Sequence, residues 1–410
     1  MSAFQVIVVG GGAAGFFAAI VAAEQGAKVL LLEKTSRFLD KVRISGGGRC
    51  NVTHACFDPR EFAARYPRGG RALLGPFQQF SARDTVAWFE SRGVKLKTEA
   101  DGRMFPITDS SQTIVNCLYD AAEKAGVHFR LNCTVNSIAR NNDGSFKLDL
   151  ASSDSLPETV LTDRLLLATG GCRAASGGQL AVMLGHTLEP PVPSLFTFQI
   201  QSSWLPTLAG VSLDLAEVIV PGAKLRERGP LLVTHWGLSG PAILKMSAWG
   251  ARELHHLDYK FPLLVNWLPG FSGEHITAEF QARREASGAR LVVNVPLAPL
   301  TARLWEQLVL AAGIPRDTRW AALTRTQMHA LTQQLTRTEF QVTGKSLNKD
   351  EFVTCGGVKL SEVNLKTMQS RICPGLFLAG ELLDIDGITG GFNFQAAWTT
   401  GFIAGRAMSA

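Results

Sequence analysis

The first 33 residues contain the pattern that most constrains the fold. A β-branched run at 4–9 leads directly into the glycine run that starts at Gly10, and an apolar helical stretch closed by Gly26 then precedes a second strand at 28–32. This strand–helix–strand unit has the length that a right-handed parallel crossover requires. We therefore expect an α/β fold whose first domain is built on a parallel sheet.

Three glycines of this unit have the spacing Gly10-x-Gly12-x-x-Gly15. The first permits a tight turn, the second lets a pyrophosphate approach the backbone, and the third allows the helix to pack on the strand. The helix N-terminus then presents free N–H groups and a positive dipole end to the phosphate. The pattern predicts a dinucleotide site that includes Ala13 and Ala14, and an ordinary glycine-rich turn is the alternative.

An acidic residue, Glu33, ends the second strand 18 residues after Gly15. A carboxylate at this position can accept hydrogen bonds from both hydroxyls of an adenosine ribose, and its charge would repel a 2′-phosphate. The site therefore favours FAD or NAD over NADP.

Two further glycine clusters favour FAD over NAD. The segment 45–51, SGGGRCN, can run beneath a long flat ligand with Arg49 available to a phosphate or a flavin carbonyl, although a plain loop is the alternative. Near the C-terminus, Gly380 and Glu381 end a strand, and the segment 390–393, GGFN, opens the last helix. A helix N-terminus directed at the N1–C2=O edge of a flavin would stabilise its reduced form, because that edge becomes negative on reduction.

Composition excludes several other classes of protein. The 410 residues are 46% hydrophobic, which suffices for two or three domains with sizeable cores and excludes disorder. Seven scattered cysteines form no CxxC pair, so we expect reduced thiols in a cytoplasmic protein without a metal or disulfide framework.

The net charge of +6 favours an anionic partner, but no dense Lys/Arg run marks a nucleic-acid face. The uncharged stretch at 6–23 is interpreted as the start of the fold rather than as a signal or membrane segment.

The distribution of strand and helix patterns along the chain predicts a first domain that is discontinuous in sequence. Beyond the N-terminal unit, we expect strands at 127–131, 135–140 and 146–150, the last paired with 160–168 across a Ser-rich turn, and helices at 113–125 and 392–408. The predicted domains are an FAD-binding Rossmann-like domain at 1–190 and 346–410, a β-barrel-like insert at 191–271 and 336–345, and a helical subdomain at 272–335.

The motifs together resemble one family of flavoproteins. In chain order they are GGGAAG at 10–15, SGGGRCN at 45–51, ATGG at 168–171, THWGLSGP at 234–241, CGGV at 355–358 and PGLFLAGELLDIDGITGGFNFQAAWTTG at 374–401. This set is similar to that of the BaiN/YhiN-type bacterial flavoproteins, NAD(P)/FAD-dependent oxidoreductases also described as aminoacetone-oxidase-type enzymes. The resemblance spans nearly the whole chain. It implies a glutathione-reductase-like Rossmann FAD domain, discontinuous in sequence, with an inserted β-barrel-like domain and a small helical domain.

The resemblance also implies non-covalent FAD and the residues that hold it. Carried over to matching positions, the cofactor-binding residues are Gly10, Gly12, Ala13, Ala14, Gly15, Glu33, Lys34, Arg43, Gly47, Gly48, Arg49, Cys50, Asn51, Val135, Ala168, Thr169, Gly170, Gly380, Glu381, Gly391, Phe392 and Asn393. Two positions depart from the family pattern, since Cys355 stands where alanine is frequent and Phe392 where tyrosine is frequent. The polarity beside the flavin is expected to differ accordingly.

Members of this family are associated with the reduction of activated carbon–carbon double bonds, including uracil to dihydrouridine in ribosomal RNA, and with amine oxidation. Double-bond reduction needs a hydride from the flavin and an acid that protonates the neighbouring carbon. Cys50, Cys355 and His235 are the candidate acids, although a buried cysteine is most often a packing residue and His235 can simply support a turn. We expect an FAD-dependent oxidoreductase that reduces a conjugated double bond, with a small-amine oxidase and a non-catalytic flavin-containing binding protein as alternatives.

The sequence constrains the electron donor and the binding partner less than it constrains the cofactor. No second GxGxxG precedes a helix, so NADH or NADPH is expected to bind transiently at the flavin face, or another protein donates the electrons. The expected partner is a small-molecule or RNA substrate, with weak nucleic-acid contact and no membrane contact, and the sequence leaves the oligomeric state open. Residues that could face RNA phosphates or stack on a base, although a solvated surface or a core position is the commoner role, are Arg60, Arg65, Arg68, Arg71, Lys224, Arg226, Arg228, Trp236, Trp249, Trp267, Phe392, Phe394 and Trp398.

Overall fold

The N-terminal glycine unit folds as the sequence predicts. Val6–Val9 and Val29–Leu32 are strands buried at every position, and the helix between them, Ala13–Glu24, is apolar on all sides and almost wholly buried. Such a helix needs other layers of structure around it. The structure is a computed structural model and describes residues 4–152, 157–172, 175–346 and 353–409.

The chain divides into two compact units, Met1–Ser194 with Asn348–Ala410, and Leu195–Leu347. The first part of the chain contributes strands β1 (Val6–Val9), β2 (Val29–Leu32), β3 (Thr53–His54), β4 (Leu96–Thr98), β5 (Arg103–Pro106), β6 (His128–Arg130), β7 (Cys133–Arg140), β8 (Phe146–Ser152), β9 (Glu158–Thr162), β10 (Arg164–Leu167) and β11 (Leu188–Ser194). Its helices are α1 (Ala13–Glu24), α2 (Asp40–Gly48), α3 (Pro59–Ala63), α4 (Gly70–Gln79), α5 (Ala82–Glu90), α6 (Ser111–Lys124) and α7 (Ala175–Met183).

The second unit is formed by one continuous stretch of chain. Its strands are β12 (Thr197–Ile200), β13 (Ser212–Val220), β14 (Leu225–Val233), β15 (Gly237–Ser239), β16 (Phe261–Asn266) and β17 (Thr338–Ser346), and its helices are α8 (Pro241–Trp249), α9 (Ala251–His256), α10 (Gly273–Ser287), α11 (Ala302–Ala311) and α12 (Arg325–Arg337). The C-terminal segment then returns to the first unit with β18 (Val353–Val358), β19 (Val363–Asn364), β20 (Gln369–Ser370), β21 (Leu376–Leu378) and α13 (Phe392–Ser409).

Within the described ranges, a seven-stranded sheet of order β19-β20-β21-β10-β1-β2-β6 forms the centre of the first unit. The five strands from β21 to β6 are parallel, and β20 and β19 continue the sheet antiparallel. Because β21 comes from the C-terminal segment and pairs directly with β10, the Rossmann-type domain is discontinuous, which confirms the expected fold class.

The expected pairing of 146–150 with a single strand at 160–168 is wrong in part. The run divides at Asp163, so that β9 pairs with β8 whereas β10 joins the parallel sheet between β1 and β21. The two halves suit different sheets, because β10 is mostly buried and β9 mostly exposed. The Ser-rich turn expected before β9 falls largely on 153–156, outside the described residues.

Six antiparallel strands of the second unit close a barrel in the order β12-β15-β14-β13-β16-β17, counted over the residues that the structure describes. The helices α10, α11 and α12 belong to the same unit, and the Leu335 carbonyl near the end of α12 accepts a hydrogen bond from Trp267 N at 2.9 Å. The division into three domains stays a prediction. Among the helices in the described ranges, none has the length and apolar character to cross a membrane.

Candidate functional site

The carboxyl ends of four neighbouring parallel strands bring separate sequence motifs to one edge of the sheet. Gly10 follows β1, Glu33 follows β2, Ala168 and Thr169 follow β10, and Gly380 lies two residues after β21. Ligands of doubly wound sheets bind outside this edge, so the arrangement defines a candidate dinucleotide site.

Two glycines of the first motif are required by packing. A Cβ on Gly10, whose φ is +111°, would lie 2.3 Å from the Ala168 carbonyl oxygen, and a Cβ on Gly15 would lie 2.0 Å from the Gly10 carbonyl oxygen. Both distances are far below van der Waals contact, so strand β1, strand β10 and helix α1 approach this closely only with glycine at these positions.

Gly12 has a different role. No atom lies within 4 Å of the place that its Cβ would occupy, and its φ of −85° suits any residue. Gly12 is the N-cap of α1 and offers no side chain to cap the first-turn N–H groups, which include those of Ala13 and Ala14. Open space beside uncapped N–H groups and a positive dipole end fits a bound pyrophosphate.

Glu33 is held beside this turn by three hydrogen bonds. Its Oε2 accepts from Gly11 N at 2.8 Å, and its Oε1 accepts from both N and Oγ1 of Thr35 at 2.9 Å. An ionised carboxylate has about four acceptor positions, so Glu33 retains one position, on Oε2, for a ribose hydroxyl.

Two further predicted cofactor residues, Lys34 and Val135, differ in burial. Lys34 follows Glu33 and is exposed, whereas Val135 is buried in β7. The Glu33 carbonyl accepts a hydrogen bond from Cys133 N at 2.9 Å, which brings the start of β7 to the end of β2.

Left-handed glycines form the turn at the end of α2. Gly46, Gly47 and Gly48 have φ values of +58°, +68° and +82°, and Cβ atoms on Gly47 and Gly48 would meet nothing within 4 Å. Gly170, with φ +79°, is equally open at the end of β10. This exposed backbone without side chains suits a flat ligand.

The two arginines of the candidate site differ in their partners. Arg49, which the sequence leaves available to the cofactor, donates to Glu99 Oε1 at 2.6 Å and lies 4.0 Å from the centroid of the Phe105 ring. Arg43 donates from Nη1 to Gln112 Oε1 at 2.7 Å, but its buried Nε has no hydrogen-bond partner in the described part of the chain. Buried donors normally have partners, so Arg43 Nε fits an acceptor of the cofactor better than Arg49 does.

Asn51 connects the second glycine cluster to the N-terminus of α13. With its amide oriented to satisfy its neighbours, its oxygen accepts from Gly391 N at 2.9 Å and its nitrogen donates to Thr53 O at 2.9 Å. Trp398 Nε1 donates to Val52 O at 3.0 Å. These bonds tie residues that are far apart in sequence into one wall of the site.

Gly380 and Glu381 bring β21 to the first turn of α1. A Cβ on Gly380, whose φ is +71°, would lie 2.8 Å from Ala14 Cβ. Glu381 accepts from Thr354 N at 2.8 Å and forms an ion pair with Lys41 at 2.7 Å.

The loop before α13 is closed by Asn393. Its Oδ1 accepts from Gly387 N at 2.8 Å and its Nδ2 donates to Gly387 O at 3.0 Å. Phe392 is buried, its ring stacks on His54 at 4.9 Å, and its carbonyl accepts from Tyr66 Oη at 2.5 Å. The backbone of Gly391 has a φ of +91°, and a Cβ there would lie 2.5 Å from the Thr53 carbonyl oxygen.

Sequence analysis missed the residues that fix this loop, and it named one of them, Arg68, only as a residue that could face RNA phosphates. Besides Tyr66 and His54, Arg68 forms a two-pronged ion pair with buried Asp386, whose Oδ2 also accepts from Ser194 Oγ at 2.9 Å. Burial raises the pKa of Asp386, and its bonds to Arg68 and Ser194 oppose that shift. Arg68 and Asp386 are far apart in sequence, and neither lies in a motif whose spacing would have predicted this ion pair.

Helices α1 and α13 run parallel and in direct contact. A Cβ on Gly401 would lie 2.5 Å from Ala14 O, and one on Gly405 would lie 2.6 Å from Ala18 O. With a rise of about 1.5 Å per residue, the N-terminus of α13 projects about 12 Å beyond that of α1. The two N-termini are therefore offset along one direction, as the pyrophosphate and flavin of an extended dinucleotide are.

The three candidate acids differ in environment. Cys50 and Cys355 are fully buried, and desolvation raises the pKa of Cys50 to about 12. His235 is exposed on the turn between β14 and β15 in the barrel unit. Cys50 and Cys355 belong to the first unit, whereas His235 belongs to the second.

The fold and this site define an FAD-dependent oxidoreductase with a Rossmann-type cofactor domain. A model of the HI0933-like protein Rossmann domain matches residues 4–407, and the chain belongs to this family. The resemblance to BaiN/YhiN-type flavoproteins is thereby confirmed.

Three comparisons illustrate the relationship. The chain is 32% identical to the ribosomal RNA dihydrouridine synthase of Escherichia coli (strain K12) over 98% of this chain and 96% of that protein. It is 28% identical to the 3-dehydro-bile acid delta(4,6)-reductase of Clostridium scindens, covering 93% of this chain and 92% of that one. The crystal structure of a 3-ketosteroid-delta4-(5alpha)-dehydrogenase from Rhodococcus jostii RHA1 matches with a TM-score of 0.54 at 16% identity, over 99% of this chain and 97% of that one, and shows the shared fold.

Proposed function

We propose that the protein reduces an activated carbon–carbon double bond and that its substrate is uracil in ribosomal RNA. This proposal rests on the 32% identity, over 98% of the chain, to a protein named ribosomal RNA dihydrouridine synthase. A second full-length relative is named a delta(4,6)-reductase, so both names describe the reduction of a carbon–carbon double bond. An RNA substrate of this kind would place the protein in the cytoplasm.

The chain's own residues would bind and orient the cofactor. Reduced FAD supplies a hydride when it is bound. The uncapped amides after Gly12 would bind the pyrophosphate, and Glu33 would bind the adenosine ribose. The N-terminus of α13, which Asn51 and Asn393 hold in place, would stabilise negative charge at the flavin edge.

Double-bond reduction also requires a proton at the neighbouring carbon. A thiol whose pKa is raised to about 12 is a poor acid at neutral pH, and the fully buried Cys50 fits a packing role better. Cys355 and His235 remain the candidate donors. In Cys355→Ser and His235→Ala proteins that retain FAD, slow product formation with normal flavin reduction would identify the donor.

The electron donor is proposed to be NADH or NADPH bound transiently at the flavin, with a protein donor as the alternative. Bleaching of the flavin near 450 nm under anaerobic conditions tests each nicotinamide directly. If neither bleaches the flavin while dithionite does, a protein donor is favoured.

The central experiment uses ribosomal RNA from a host strain that lacks this gene. We expect purified yellow protein, a reductant and this RNA to yield dihydrouridine, detected by mass spectrometry of nucleosides, and we expect the Gly12→Val variant to yield none. Absence of dihydrouridine with fully reduced wild-type protein would contradict the RNA assignment. Peroxide release on addition of small amines in air would instead favour the oxidase alternative.

A further inference from the structure

The barrel unit carries exposed side chains that the cofactor site does not use. Exposure alternates along β14: one of its odd-numbered residues, Gly229, faces helix α8, since a Cβ built on it would lie 3.8 Å from Ala242 N, and all the odd-numbered residues are buried or half-buried. The residues between them point away from α8. We define the β14 strip as the outward residues Arg226, Arg228 and Leu232 together with the exposed turn residue Trp236.

Trp236 is displayed to solvent on a fixed turn. Trp236 is 65% exposed, and Leu232, four residues before it, is 37% exposed. The turn is held by Thr234, whose N donates to Gly237 O at 2.8 Å and whose Oγ1 accepts from Gly237 N at 3.2 Å. An aromatic ring on a fixed turn loses little conformational entropy when it binds a flat group, because only its two side-chain torsions are then ordered.

The arginines of the strip are also held in place. Arg228 Nε lies 2.7 Å from Glu217 Oε1 and Arg226 Nε lies 3.6 Å from the same oxygen. The Glu217 side chain is only 6% exposed, whereas those of Arg226 and Arg228 are 65% and 58% exposed. One carboxylate neutralises one of the two cations, so these three side chains together keep one net positive charge.

We propose that the β14 strip binds a single-stranded segment of the RNA substrate, with Trp236 stacked on a base and the arginines at its phosphates. This inference rests on the proposed function. A base that is reduced at a ring double bond must first leave its helical stack, and its neighbours are then also available for stacking. Proteins that bind single strands combine cationic groups along the backbone with aromatic platforms, and the strip contains both.

The stacking role is tested with Trp236→Ala and a matched control, Trp249→Ala. Trp249 is 42% exposed at the end of α8 in the same unit and lies outside the strip. We expect the dissociation constant for a uridine-rich single-stranded RNA oligonucleotide to rise about tenfold in Trp236→Ala and to stay near wild type in the control. The visible flavin spectrum should be unchanged in both.

The phosphate role is tested with Arg226→Gln, because Arg228 still pairs Glu217 in that variant. We expect the slope of log affinity against log salt concentration to fall by about 0.7 for the lost contact to a single strand. Arg325→Gln, at an exposed position in α12, is the control and should keep the wild-type slope.

The outcomes separate this inference from the proposed function. If wild type forms dihydrouridine and Trp236→Ala binds and converts the RNA equally well, the strip assignment is wrong and the function stands. If RNA binds through Trp236 but no dihydrouridine forms, the function is wrong and the strip stands. If wild-type protein neither binds nor converts RNA, both are overturned.

Discussion

At the residue scale, glycines of one motif have opposite physical roles. Gly10 and Gly15 have no room for a Cβ, whereas Gly12 has open space on that side and an ordinary backbone conformation. Substitution at Gly12 therefore separates cofactor binding from folding.

We expect Gly12→Val to fold normally and to be colourless. The new Cβ meets no atom within 4 Å, and the side chain would enter the space proposed for the pyrophosphate. Thermal unfolding of the cofactor-free protein and the ratio of 450 to 280 nm absorbance measure the two effects. Gly15→Val is the comparison and should fail to fold, since its Cβ would lie 2.0 Å from Gly10 O. A yellow Gly12→Val protein with one FAD per chain would rule out the phosphate-loop assignment.

The ion pair of Arg68 and Asp386 is the second feature at this scale. The Asp386 side chain is fully buried, and the two residues also form an isolated β-bridge. Removing one partner of a buried pair leaves an uncompensated charge, which typically costs about 3–5 kcal/mol.

Arg68→Met should therefore lower the free energy of unfolding by about 3–5 kcal/mol at pH 7. Burial already raises the pKa of Asp386, and we expect a further rise without the guanidinium. A carboxyl with a raised folded-state pKa contributes stability below its unfolded pKa, and this contribution is lost as pH rises through the folded value. Denaturant unfolding at pH 7 and pH 4.5 should show that Arg68→Met lowers the free energy of unfolding less at pH 4.5 than at pH 7.

Adding Asp386→Asn to Arg68→Met should recover part of the lost free energy of unfolding at pH 7. A loss of the same size at both pH values would contradict the assignment.

At the element scale, the packing of α1 on α13 sets the distance between the two helix N-termini. Glycines at 401 and 405 let the α13 backbone approach carbonyl oxygens of α1. Both proposed anion-stabilising helix ends thus depend on one interface.

Gly401→Ala should force these helices apart. Its Cβ would lie 2.5 Å from Ala14 O, and overpacking of this kind costs about 1–3 kcal/mol. We expect a lower melting temperature and weaker FAD retention on gel filtration. Gly273→Ala in α10 is the matched control, since its Cβ meets nothing within 4 Å, and it should be neutral or stabilising by up to about 1 kcal/mol. Equal behaviour of the two variants would contradict a role for close helix contact.

At the scale of the whole molecule, the parallel sheet is assembled from opposite ends of the chain. β21 pairs with β10, which pairs with β1, although β21 follows the entire barrel unit in sequence. The C-terminal segment is therefore an internal part of the sheet.

Hydrogen–deuterium exchange tests this arrangement. We expect the amides of β21 to exchange as slowly as those of β1, because both strands are buried and paired within one cooperative sheet. Exchange of β21 at the rate of an exposed loop, with β1 protected, would show that the C-terminal segment unfolds independently.

The sequence by itself determined the strand–turn–helix–strand unit, the glycine spacing, the terminal acid at Glu33 and the return of the chain to the first unit, because these patterns are local or repeat with the period of a helix or strand. Only the tertiary structure decided the partners of side chains far apart in sequence. It paired Arg49 with Glu99, buried Asp386 against Arg68, and left Trp236 exposed while Trp267 and Trp398 are buried. Such choices depend on which elements meet, and no local periodicity contains that information.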